Sequence, residues 1–131
     1  MGAWGTHNFA NDDAMDWLAE LEDNGLAATS SAFAAVDEAA DDYLDASIAA
    51  CALAAAEVIA ALHGRPSPTL PEEIITWVAA NPGDPGKALL ASARRTIDVV
   101  GKQSELRDLW EETDEFETWR AELSDLKGRL G

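Results

Sequence analysis

No lysine or arginine occurs before Arg65, although the 131-residue chain carries 25 acidic residues against 9 basic ones, a formal net charge of −16. Phosphate contacts need a basic surface, so direct binding of nucleic acid is excluded as an expectation, and anionic membrane is disfavoured on the same ground. Cysteine is nearly absent. Cys51 stands alone and cannot close an internal disulfide, so folding needs no oxidising compartment and a reducing cytoplasm is the expected location. The opening MGAWGTHNFANDD has neither the basic nor the apolar region of a secretory signal. Alternating apolar and polar residues, the mark of a half-buried strand, appear nowhere. Also missing are the spacing of a calcium loop, a Cys/His zinc pattern and the turn that frames a hydrolase serine. No metal, cofactor or catalytic residue is therefore assigned.

What the chain does contain is helix. From Ala46 to Leu62 the only formal charge is Glu57. Ile48, Cys51, Ala52, Ala55, Val58, Ile59 and Leu62 recur at helical spacing, and the other side, with Ala50, Leu53, Ala54 and Ala61, is apolar too. A helix that is apolar all round is packed on most sides. At ~1.5 Å per residue it runs roughly 25 Å, a domain diameter, and it is too short and alanine-rich for a membrane span. The spacing thus predicts a central buried helix over 46–62, wrapped by others.

Those others can be read in order. Residues 1–10 form a non-helical arm, punctuated by Gly2 and Gly5, whose Trp4 and Phe9 are expected to staple it to the core. Asn11, Asp12 and Asp13 start a helix with Ala14, Met15, Trp17, Leu18 and Leu21 inward, stopped near Asn24-Gly25. Leu26 to Asp42 reads as a second helix or helical pair, with Ser30 or Ser31 as cap. Tyr43-Leu44 connects to the central helix, which closes at His63 with Gly64 beyond it. Pro71 opens a helix with Ile74, Ile75, Trp77 and Val78 inward. Asp84-Pro85 opens the next, buried along Leu89, Ala93, Thr96, Ile97 and Val100 up to Gly101. Ser104 caps a helix with Leu106, Leu109 and Trp110. Asp114 and Glu117 read as a capping box for the last, along Phe116, Trp119, Leu123, Leu126 and Leu130. The expected fold is all-α, one domain over 1–131, a bundle of about six or seven helices.

The opening MGAWGTHNFANDDAMDWLAEL resembles the N-terminal signature of a bacterial family, domain of unknown function 4259, in which a Gly-Ala-Trp-Gly arm leads through Asn-Asp-Asp-Ala to Asp-Trp-Leu. AAAEVIAALHGRP, LPEEIITWV, SELRDLWEE and TWRAELSDLKGRL are similar to the family's downstream stretches, so the likeness covers essentially the whole chain. His7 stands where glycine is the more usual residue. The resemblance implies a bacterial, cytosolic, all-α protein and brings no activity, cofactor or catalytic residue with it.

Chemistry is then sought in the acids. Asp12, Asp13 and Asp16 lie within one helical turn near His7, which suits an oxygen-rich cation site, but acids at a helix start are also what the macrodipole favours. His63 suits the carbonyls ending the central helix, and Cys51 has no neighbouring base to activate it. The lone acid Glu57 needs partners, because a buried carboxylate costs several kcal/mol unless paired. Arg94 is one expected partner; backbone N–H groups and the Trp4 indole of the arm are the other. Two functions follow. One is a non-enzymatic interaction module, resembling an immunity or antitoxin protein or a regulator, whose acidic face at Glu20, Glu22, Asp23, Asp37, Glu38, Asp41, Asp42 and Asp45 docks a basic protein. Glu111, Glu112, Asp114, Glu115 and Glu117 form a second acidic run that could join this face. The alternative is a small carboxylate-site enzyme using Asp13, Asp16 or Glu57, with or without a divalent ion.

Overall fold

Alanine makes the middle of the bundle accessible from every side. In the computed structural model, which describes residues 5–39 and 43–131, the central helix α3 spans Ala46–Leu62 and buries Ala49, Ala50, Ala52, Ala54, Ala55, Ala56, Ala60 and Ala61 together with Leu53, Val58 and Ile59. Side chains that short let neighbouring helices approach closely. The six others among the described residues all pack on it: α1 (Asp12–Asn24), α2 (Leu26–Glu38), α4 (Glu72–Ala80), α5 (Lys87–Lys102), α6 (Glu105–Glu111) and α7 (Phe116–Leu130). The protein is an all-α bundle, with no strand among the described residues. Trp17, Phe33, Trp110 and Trp119 fill the space that alanines leave, within one contiguous apolar cluster.

Local chemistry sets most helix ends. Asn11 accepts from the Ala14 amide at 2.8 Å to start α1, and Asp45 accepts from Ser47 to start α3. Ser104 caps α6 by accepting from Arg107, while its own hydroxyl donates to the Val100 carbonyl. Gly25, at φ +61° and ψ −140°, supplies a corner that other residues adopt only with strain, so α2 leaves α1 after one residue. Gly64, at φ +85°, follows the His63 cap of α3.

Several expected boundaries move. α2 is one helix capped by Gly25, with Ser30 and Ser31 exposed inside it, because the glycine corner precedes them. Pro71 is the N-cap of α4 and not its first helical residue. Asp84 accepts from the Gly86 amide at 2.8 Å in a side-chain-closed turn, which delays α5 to Lys87; Leu90 lies in the core, and the expected Leu89 packs against it partly buried. Asp114 and Glu117 form no capping box: Glu115 is the N-cap of α7, and its amide is met by Thr113 Oγ1. Ile75 points outward, leaving Ile74 as the buried residue of α4.

The connector into α3 is sewn to α6. The Leu44 carbonyl accepts from the Glu105 amide at 2.8 Å, and the Glu105 carboxylate accepts from the Ala46 amide at 2.9 Å. Each bond satisfies a helix N-terminal amide that has no partner within its own helix. Beside them, Tyr43 donates its hydroxyl to Asp108 at 2.5 Å.

Candidate functional site

Glu57 is 3% exposed on α3. Its carboxylate accepts from both terminal nitrogens of Arg129, on α7, at 2.8 and 3.1 Å. The third donor is Asn8 Nδ2 at 2.7 Å. An ionised carboxylate only accepts, so this bond fixes which way the Asn8 amide faces. The expected partner Arg94 goes elsewhere: it donates to the Leu130 carbonyl at 2.7 Å, at the free end of α7. Arg129 reaches Glu57 because it projects from the last turn of α7 across the end of α3, a neighbourhood that no spacing in the sequence announces. The arm does contribute a donor, from Asn8. Trp4, the other expected contributor, lies outside the described residues, as do Gly2, Asp41 and Asp42.

Arg129 also donates to Asp125 at 2.9 Å and to the Arg65 carbonyl at 3.2 Å. Burial pushes the guanidinium toward neutrality, but the hydrogen bonds and charge of Glu57, followed by those of Asp125, outweigh it and raise its pKa. The ensemble therefore ties the arm, α3, the segment after α3 and α7. With three donors on Glu57, its oxygens are engaged in holding the fold and are not presented to a substrate.

The remaining chemistry-bearing residues are dispersed. Asp13 accepts from Ser47 Oγ at 3.2 Å, while Asp12 and Asp16 are exposed on α1. Among the described residues, no group of three or more His, Cys, Asp and Glu side chains is gathered tightly enough to hold a metal. Cys51 is half-buried against α1, its Sγ 3.7 Å from the Asp13 carbonyl. Burial, then the charges of Asp13, Asp16 and Glu20, push its pKa up to about 11, which makes it an unreactive thiol. His63 Nδ1 lies 3.5 Å from Asp84 Oδ2 but is not aligned to hydrogen-bond with it, and His7 Nδ1 lies 3.2 Å from Glu122.

The acidic residues divide. Asp37, at the far end of α2, is bracketed by Arg95 of α5 through Nη2 at 3.0 Å and Nε at 3.4 Å. Asp45 is occupied as the α3 cap. Glu20, Glu22 and Asp23 sit at the opposite end, on the last turns of α1, and no ion pair among the described residues includes them. Glu111 pairs with Arg107 and Glu117 with Arg120, and their helices pack on α3 and α5 without touching α1, so this second run lies apart from the first. Beside Glu20, a groove of about 390 Å³ runs between α1 and α2, floored by Trp17, Ala28, Ala32 and Cys51. Sequence charge density flagged these acids, but only the fold distinguishes the compensated from the uncompensated.

The family model for a domain of unknown function, DUF4259, matches residues 2–122. The chain belongs to the DUF4259 family. The match takes in the arm, α1 to α6 and the first half of α7, and stops short of Arg129. Comparison with curated proteins and with solved structures finds no match. Among the described residues, no helix is long and apolar enough to cross a membrane.

Proposed function

We propose that this DUF4259 protein is a non-enzymatic interaction module, immunity-like, antitoxin-like or regulatory in type, that captures a basic protein in the bacterial cytoplasm. The observation that carries the reading is the end of α1. Glu20, Glu22 and Asp23 occupy the last turns of a helix with no basic residue there, where the negative end of the macrodipole opposes them. Asp12, Asp16 and Glu20 repeat at intervals of four along the same helix, an arrangement of like charges that costs a few tenths of a kcal/mol per pair. Glu20 accepts from Asn24 Nδ2 at 3.3 Å and Asp12 suits the helix start, but among the described residues Asp16, Glu22 and Asp23 have neither an ion-pair nor a hydrogen-bond partner. A basic partner would relieve both penalties, and the adjacent apolar groove offers it an anchor beside the charge.

Capture from native lysate over a salt series tests this. The expected result is a stoichiometric basic protein whose retention falls steeply with salt and is lost when Glu20→Gln, Glu22→Gln and Asp23→Asn are combined. Equal retention and equal salt slope for wild type and variant would reduce these acids to a solvated surface.

A further inference from the structure

Beneath the arm, between the start of α1, α3, α6 and α7, lies a cavity of about 30 Å³. That volume suits one water-sized group. Asn8 lines it, is 5% exposed, and leaves its Oδ1 buried without a hydrogen-bond partner. Because Asn8 Nδ2 is committed to the Glu57 carboxylate, the oxygen cannot be exchanged for the nitrogen by turning the amide over. A buried acceptor with no donor calls for a guest that donates. The other walls narrow the choice. Asp13 brings a carboxylate, Trp110 and Trp119 bring indoles, and no lysine or arginine is among the described lining residues. Among the lining residues, His7 is exposed and Asp13 partly so.

The geometry points to an ammonium site: a pocket that takes the charged tip of a lysine side chain from a partner. A primary ammonium is the size of a water, carries three N–H donors, and is drawn to an anionic oxygen and to indole rings alike. Asn8 Oδ1 and Asp13 are the acceptors, and Trp110 and Trp119 are the aromatic walls. The apolar stem of a lysine would leave through the mouth beside Asp13, toward the acidic face of α1. This assignment rests on the reading of a basic partner, and it gives that partner a chemical requirement, an extended lysine at the point of contact near Asn11.

Methylammonium tests the pocket without any partner. Titrated at constant ionic strength against the full chain, with tetramethylammonium as the bulky control, it should shift the Asn8 side-chain amide NMR signal saturably while the control does not. Asp13→Asn, which keeps the shape and can still accept from Ser47, should weaken methylammonium on the order of tenfold. Ala50→Val, placing methyl groups in the space, should abolish the response. Should Ala50→Val fail to fold, Asp13→Asn still decides. No saturable shift, equal response to both amines, or an Asp13→Asn response equal to wild type would each overturn the site and assign the space to a resident water. Failure here with salt-sensitive capture intact would remove the lysine pocket alone; loss of capture specificity with methylammonium binding intact would remove the interaction reading alone.

Discussion

Arg129 closes a two-pronged ion pair on Glu57 across 72 residues of chain, at 2.8 and 3.1 Å, with the Arg129 side chain 14% exposed. Two long stretches of sequence are thus joined through a bond that neither can replace. Removing one member of a buried pair strands the other, at a cost of about 3–5 kcal/mol. Arg129→Met should lower the urea midpoint accordingly. Adding Glu57→Leu to it should recover much of the loss, because an apolar pair of similar volume leaves no uncompensated charge. A double variant as unstable as the single one would show that Asn8 and the arm, not the ion pair, dominate this site.

The single tyrosine gives a clean optical probe. Tyr43 donates to Asp108, and that hydrogen bond, with smaller effects of burial and the charges of Asp108, Glu105 and Glu112, pushes its pKa up to about 12 from 10.0. A raised folded-state pKa contributes stability below the unfolded value, which is lost as pH rises from 10.0 toward about 12. Phenolate absorbance should therefore titrate near 12 in the folded protein and near 10 in urea. Asp108→Asn should bring the folded midpoint down. Coincident folded and unfolded curves would mean that this exposed hydrogen bond is not maintained in solution.

The all-α architecture was legible because helical spacing, caps and the apolar stretch from Ala46 to Leu62 agreed with one another. Local chemistry was equally readable where a side chain acts on its own helix, as with Asn11, Asp45 and Ser104. What sequence spacing could not supply is the meeting of distant elements. Sequence spacing singled out Arg94 for Glu57 and gave no reason to consider Arg129, although both are cations on helices that pack on α3. The choice is made by how α7 ends across α3. The acidic run likewise looked continuous, although α2 carries Asp37 about 16 Å along its axis from Leu26, at ~1.5 Å per residue. The cavity beneath the arm was invisible for the same reason, as its walls come from five segments, the arm and four helices.

Cys51 offers a test of the packing between α1 and α3. With its pKa up at about 11, against 9.0 for an unperturbed thiol, only a trace of thiolate exists near neutrality. Thiol reagents should modify it slowly in the native protein and rapidly in urea. The same shift makes its contribution to stability complete below 9.0 and lost as pH rises toward about 11. Fast modification under native conditions at neutral pH would show that α1 opens readily from α3.

The end of α1 should trade stability against capture. Glu22 and Asp23 face the negative pole of the helix with no basic neighbour in the last turn. Replacing either by lysine puts a favourable charge there and removes repulsion, so Asp23→Lys should raise stability by about 0.3–1 kcal/mol. Salt acts in the same direction on the free wild-type protein, because it screens repulsion among acids that are not paired. Binding to a basic partner should move the opposite way in both cases, weakening with salt and with Asp23→Lys. Thermal unfolding and partner retention, measured on the same samples, separate the two effects. A destabilised Asp23→Lys would mean that the carboxylate supports the fold through the Gly25 corner, and the α1 terminus would lose its claim as the binding edge.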